Sequence, residues 1–148
     1  MSLIKLNYKK IGHGPPLLIL HGLFGSLDNW QTIANSLQEK MTVYLLDLRN
    51  HGKSPHSDEM SYSSMAGDIL YFINELQLSS CFLSGHSMGG KVVLQCLNFF
   101  PDRIVKAMVV DITARRYEPS HLEIFKALKS LNLLNIHKRS EAEEKLVF

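Results

Sequence analysis

Four short apolar blocks, residues 17–20, 43–46, 81–83 and 107–110, alternate with helix-length stretches at 30–38, 64–76 and 88–100. Nearly continuous apolar runs of strand length belong to strands covered on both faces, and such strands are joined in parallel by helices. The order β-α-β-α-β-α-β, with right-handed crossovers, predicts an α/β fold: an open, mostly parallel sheet with helices on both faces. Residues 3–8 are expected to add an antiparallel edge. Pro101 stops the third helix after Phe99 and Phe100, because proline disfavours helical geometry in the residue before it. Asp28 or Asn29 is expected to cap the first helix and Ser63 the second. After Asp111 the pattern changes. Leu122, Phe125, Leu128 and Leu131 recur every three residues, an amphipathic helix within 118–131 that no strand follows, and residues 140–148 again read as helix.

A chain of 148 residues makes one domain or a piece of a larger one. Its formal charge of +2 is close to neutral and its basic residues are scattered, so neither nucleic acid nor an anionic membrane is an expected partner. The longest apolar stretches run a few residues, against the ~20 that span a bilayer, so membrane insertion is not expected. Lys5, Lys9 and Lys10 interrupt any signal-peptide core. Cys81 and Cys96 lie in separate apolar segments without metal-ligand spacing, which predicts buried thiols in a reducing cytoplasm and neither a disulfide nor a metal site. Gly12-His13-Gly14 has neither the dinucleotide fingerprint nor a phosphate-loop ending, and no cofactor is expected.

Chemistry concentrates at Gly85-His86-Ser87-Met88-Gly89, between a predicted strand and a predicted helix. The bare Gly-x-Ser-x-Gly pattern is weak, since glycine is about 7% of residues in any protein; its placement is the informative part, because a sharp strand-to-helix turn makes it a nucleophile elbow. Such a turn forces its central residue into an unfavourable backbone region at roughly 1–3 kcal/mol. The Ser87 hydroxyl is then held above the carboxyl ends of the strands, at a helix N-terminus that favours developing negative charge. Met88 would donate its backbone N–H to an oxyanion. His21-Gly22-Leu23-Phe24-Gly25 follows the strand at 17–20, and its glycines permit a loop whose amides turn inward, so that Leu23, in preference to Phe24, supplies the second donor.

These motifs, with Asp47-Leu48-Arg49-Asn50-His51-Gly52-Lys53-Ser54 after the next strand, resemble the α/β-hydrolase superfamily. Most of residues 1–115 can be laid along that fold, including the Phe100-Pro101-Asp102-Arg103-Ile104 step. Within it, the segment from His21 to Trp30, the Arg49-Asn50-His51-Gly52 variant and Gly85-His86-Ser87-Met88-Gly89-Gly90-Lys91 resemble the small bacterial carboxylesterase group of YbfF-type esterases and their mitochondrial relatives. The resemblance implies a serine hydrolase of small-molecule acyl esters, whereas the residues alone point only to acyl transfer. It also implies a division into an N-terminal part of the hydrolase core, 1–115, and the start of a helical cap, 116–148.

An activated serine needs a base, usually histidine, and an acid that fixes its tautomer. Asp111 ends the strand at 107–110 near the carboxyl edge, and the esterase group places its acid there. In this superfamily the histidine follows the acid. Only His121 and His137 do so, and neither follows a strand; both read as exposed or lid-helix residues. The expectation is therefore a chain that is the N-terminal ~60% of a hydrolase, cut before the last strands. Its catalytic histidine would come from a complementing C-terminal segment, and an uncovered apolar sheet edge would remain. Turnover by the chain alone would be weak or absent, limited to the ~10³–10⁴-fold residual of an incomplete triad. Thioester hydrolysis or acyl transfer on the same machinery, and a non-catalytic binding module, are the alternatives. His86 is expected to line the substrate pocket or pack on the sheet. Leu23, Phe24, Met88 and Trp30 are candidates to wall an acyl site, although for Trp30, at helical spacing with Ile33, Ala34 and Leu37, the core is the preferred reading. Asp47 and Arg49 read as a bracing salt bridge, His51 as structural, and His13 and His56 as solvated.

Overall fold

The computed structural model describes residues 3–115, 122–132 and 135–146. Strands β1 (Tyr8–Ile11), β2 (Pro16–Leu20), β3 (Thr42–Leu46), β4 (Cys81–His86) and β5 (Ile104–Val110) form one sheet in the order β1-β3-β2-β4-β5. All neighbours are parallel except β1, which runs antiparallel to β3 with Tyr8 opposite Leu46. The edge strand thus lies later than the 3–8 expected. Ile4 and Leu6 are buried in the core instead of pairing, and the amides of Ile4 and Asn7 go to the side chains of Asp68 and Ser54.

Alternation along β2 and β3 divides the core. Leu18, Leu20, Tyr44 and Leu46 pack with residues of α2 (Tyr62–Glu75) and α3 (Met88–Phe99) on one face. Ile19, Val43 and Leu45 pack on the other face with Ala34, Trp30 and Leu37, from α1 (Gln31–Leu37) and the 3₁₀ turn before it. Two-sided burial is why these strands read as unbroken apolar runs. β5 forms the far edge, and there Val105 and Met108 are exposed. Two caps differ from expectation. Ser26 caps a 3₁₀ turn (Leu27–Trp30) ahead of α1 in reciprocal bonds with Asn29, and Ser61 caps α2 in the same way with Ser64. In each the serine stands one turn ahead of the residue that answers it, so the capping box sets the boundary earlier than apolar spacing does.

The backbone divides into two compact units, Met1–Ala114 and Arg115–Phe148. The second carries α4 (Leu122–Ser130) and α5 (Arg139–Lys145); of the helices expected at 118–131 and 140–148, residues 118–121 and 147–148 lie outside the described residues.

Arg49, on the loop after β3, is fully buried and meets Asp68 of α2 in a two-pronged pair, Nε to Oδ2 at 2.7 Å and one terminal nitrogen to Oδ1 at 2.8 Å. The expected Asp47–Arg49 bridge is therefore corrected: Arg49 turns to α2, and Asp47 serves backbone amides elsewhere. Arg49 also donates to the Glu59 and Ser64 carbonyls, and Asp68 accepts the Ile4 amide, so each buried charge has its polar atoms engaged. Breaking such a pair strands the remaining charge in the core. Asp68→Asn is expected to lower unfolding stability by about 3–5 kcal/mol, read as a fall in the urea midpoint; a midpoint matching the parent would refute this role for the pair.

Candidate active site

β2 pairs with β3 on one side and β4 on the other, so the chain reverses its direction of travel across the sheet there. In open α/β sheets the crevice at such a switch point, beyond the carboxyl ends of the strands, is where ligands bind. Leu20 lies opposite Gly85, which sets the loop leaving β2 beside the turn leaving β4.

Ser87 occupies that turn with φ 49° and ψ −111°, positive φ in a residue with a side chain. Its N–H donates to the Val110 carbonyl (3.0 Å) and its own carbonyl accepts from Lys91 (3.2 Å), tying it to β5 and to the first turn of α3. The approach is so close that a Cβ on Gly85 would collide with the Gly89 backbone, and one on Gly89 would sit 2.5 Å from the Leu20 carbonyl oxygen. Glycine at both positions is what lets α3 start directly against β2 and β4. Ser87 itself is half-buried, at the rim and not inside the core.

The facing loop turns at Gly22-Leu23-Phe24-Gly25, closed by the Gly25 N–H on the Gly22 carbonyl at 3.0 Å. A Cβ on Gly22 would lie 2.9 Å from His86 Nδ1 and 3.4 Å from the Ser87 Cβ, so this loop sits against the elbow. The amides of Leu23 and Met88 have no hydrogen-bond partner among the described residues. The Phe24 amide, in contrast, donates to His51 Nε2 at 3.2 Å. Beside the turn opens a cavity of about 480 Å³ whose walls include Leu23, Phe24, Asn29, Trp30, Ile33 and His86. That size falls within the usual range of small-molecule sites, ~300–1,000 Å³. Trp30 faces the cavity while also packing on the core; Met88 does not line it, because it packs in the core with residues of α2 and α3. Ile33 and Asn29 were missed, although Ile33 stands three residues from Trp30 on the same helical face.

Asp111 follows β5 at φ 56° with its side chain 84% exposed, and its Oδ2 lies 3.6 Å from His86 Nε2. His86 is thus flanked by Asp111 and by the Trp30 ring, at 6.2 Å between centroids. His137 is exposed in the second unit, and His121 lies outside the described residues. Among the described residues no cluster of three or more His, Cys, Asp or Glu side chains is arranged to hold a metal, and no helix is long and apolar enough to cross a membrane. Cys81 and Cys96 are buried free thiols; burial pushes Cys81 up to about 11 and Cys96 higher still, which keeps both protonated.

Polar braces surround the loops. Burial works against the Asp47 carboxylate, but the Lys53 and Leu27 amides and the Asn7 side chain outweigh it and hold its pKa below the usual value. His21 is buried, accepts the Leu48 amide at Nε2 and bonds the Gly22 carbonyl through Nδ1, so it is neutral with its proton on Nδ1. Burial lowers its pKa, and this outweighs the opposing bond to Gly22.

The family described as "alpha/beta hydrolase fold" matches residues 15–135 of this chain. Esterase YbfF of Escherichia coli K12 is 37% identical over 128 residues, 86% of this chain and 50% of that protein. The sn-1-specific diacylglycerol lipase ABHD11 of Xenopus laevis is 47% identical over 102 residues, 68% of this chain and 33% of its own length. The chain spans half or less of the length of both relatives. A solved marine microorganism esterase superposes with a TM-score of 0.92 at 45% identity, covering 97% of this chain and 57% of that one.

The two braces titrate with a calculable sign. An unfolded His21 takes up a proton near 6.5 while the folded one resists it, so the unfolded state binds more protons just below that pH and stability falls as the solution is acidified. The Asp47 contribution, from a lowered carboxylate, is present above about 3.8 and disappears only as pH drops through its folded value. Urea midpoints should therefore decline from pH 7.5 to 5.5, and His21→Gln, which keeps an acceptor for Leu48, should flatten that decline. An unchanged slope in the variant would show that His21 does not carry it.

Proposed function

Because the chain belongs to the alpha/beta hydrolase fold family, we propose that the protein containing it is a carboxylesterase-type serine hydrolase that works through an acyl-enzyme on Ser87. The observation that carries this reading is the strained Ser87 backbone between β4 and α3, beside the Leu23 and Met88 amides, which have no hydrogen-bond partner among the described residues. The names of the relatives, esterase and lipase, agree with it.

Ser87 Oγ attacks the ester carbonyl carbon while its proton passes to a histidine base. The carbonyl oxygen takes the negative charge and receives the N–H groups of Leu23 and Met88, fixed dipoles that need no reorganisation as charge develops. Collapse expels the alcohol, which takes the proton back from the imidazolium; water then repeats the sequence on the acyl-enzyme and releases the carboxylic acid. Asp111 orients the base, a role supported by its place one residue beyond Val110, whose carbonyl holds the Ser87 amide. Phe24, His86 and the rest of the cavity wall hold the substrate. None of the described histidines is assigned as the base. Among them, His21 and His51 have both ring nitrogens engaged, His13 and His56 are exposed, His86 immediately precedes Ser87 and lies on the cavity wall, and His137 is exposed in the other unit. With the base supplied from outside residues 1–148, this segment alone should show no more than the ~10³–10⁴-fold acceleration of an incomplete triad. Two free buried cysteines accord with a reducing compartment such as the cytoplasm.

In the whole protein that contains residues 1–148, a fluorophosphonate probe should modify Ser87, and Ser87→Ala should abolish the modification. Failure of the parent protein to react would favour a binding module that keeps the fold without turnover.

A further inference from the structure

We propose that His51 is a positioning residue that sets the second oxyanion donor by holding the peptide between Leu23 and Phe24 in its less stable orientation. The proposal rests on the hydrolase reading above, in which the Leu23 amide meets the oxyanion.

The turn at Gly22-Leu23-Phe24-Gly25 has its closing bond from the Gly25 N–H to the Gly22 carbonyl and a φ of 60° at its third residue. Positive φ at that position is the mark of a type II turn, where glycine is the usual occupant; a residue with a side chain is more comfortable in a type I turn, with φ negative there. The two differ by a flip of the central peptide plane, here Leu23–Phe24. Phenylalanine alone would favour the flipped form, so something outside the turn must hold this one.

His51 does so. Its Nε2 accepts the Phe24 N–H at 3.2 Å, and a flip would turn that N–H away and leave the imidazole nitrogen facing a carbonyl oxygen. The ring is prepared for the task. Its Nδ1 lies 2.9 Å from the Arg49 carbonyl, an acceptor, so Nδ1 carries the proton and Nε2 presents a lone pair. His51 is 8% exposed and the His21 ring stands 5.0 Å away, which limits the imidazole to one setting. The Arg49 backbone it leans on is anchored through the buried pair with Asp68. A continuous set of contacts therefore runs from α2 through Arg49 and His51 to the amide next to Leu23. Reversing the Leu23–Phe24 peptide would reverse a dipole beside the oxyanion donor while leaving the Leu23 and Phe24 side chains near their places.

The test compares His51→Leu, which keeps bulk but removes the acceptor, with His51→Gln, whose Oε1 falls near the Nε2 position and accepts. With p-nitrophenyl acetate and the whole protein that contains residues 1–148, the leucine variant should lose on the order of 10²-fold in kcat. KM should stay near the parent value, because the interaction lost is made only in the transition state. The glutamine variant should recover most of the loss. A leucine variant with parental kcat, or a glutamine variant as impaired as leucine, overturns the proposal. Imidazole ¹H–¹⁵N spectra of the parent protein decide the local claim without turnover and without a variant that must fold. An unprotonated Nε2 and a protonated Nδ1 on His51 are expected, and a proton on Nε2 overturns it. If the parent neither turns over ester nor reacts with fluorophosphonate, the hydrolase reading has failed, and the ring spectra still report on His51 separately.

Discussion

A serine with φ near 50° lasts at the end of β4 only because its surroundings leave the backbone no better place. Two glycines let α3 begin in contact with β2 and β4, the Val110 carbonyl captures the Ser87 amide, and the first turn of α3 captures its carbonyl. Strain of roughly 1–3 kcal/mol is the cost. With it Ser87 stands half-buried at the end of β4, against the loop leaving β2.

The same economy recurs on the facing loop, where Phe24 holds a second unfavourable backbone angle and Asp111, after β5, holds a third. Ser87 is held by Val110 of β5 and by the first turn of α3, and Phe24 by the buried His51 ring. Asp47, His21, His51 and the Arg49–Asp68 pair bind backbone amides and carbonyls of the loops after β2 and β3. They are buried polar groups with their hydrogen bonds satisfied, which is how such groups become rigid supports in place of liabilities.

Much of this was legible from residue order. The apolar blocks at 17–20, 43–46, 81–83 and 107–110 all fall in parallel strands. Those in β2 and β3 are covered on both faces and leave a signal without alternation, whereas the block in β5 is apolar although Met108 lies exposed at the sheet edge. Residues 3–8 misled: Ile4 and Leu6 are apolar because they enter the core, not because they pair. Asp47 and Arg49, two apart in sequence, seemed natural partners, yet the true partner of Arg49 lies nineteen positions on, in an apolar helix where a single aspartate gives no hint of what it faces. Met88 shows the limit of residue type as a guide. Expected on the acyl-site wall, it packs in the core cluster with residues of α2 and α3. For His51 the informative bond is to a backbone amide, and backbone partners leave no trace in side-chain identity.

The most direct test of the whole account is a crystal structure of the phosphonylated protein. The adduct on Ser87 should place its phosphoryl oxygen about 2.7–3.1 Å from the backbone nitrogens of both Leu23 and Met88. A phosphoryl oxygen turned to solvent, or held by other donors while these two amides stay empty, would contradict it.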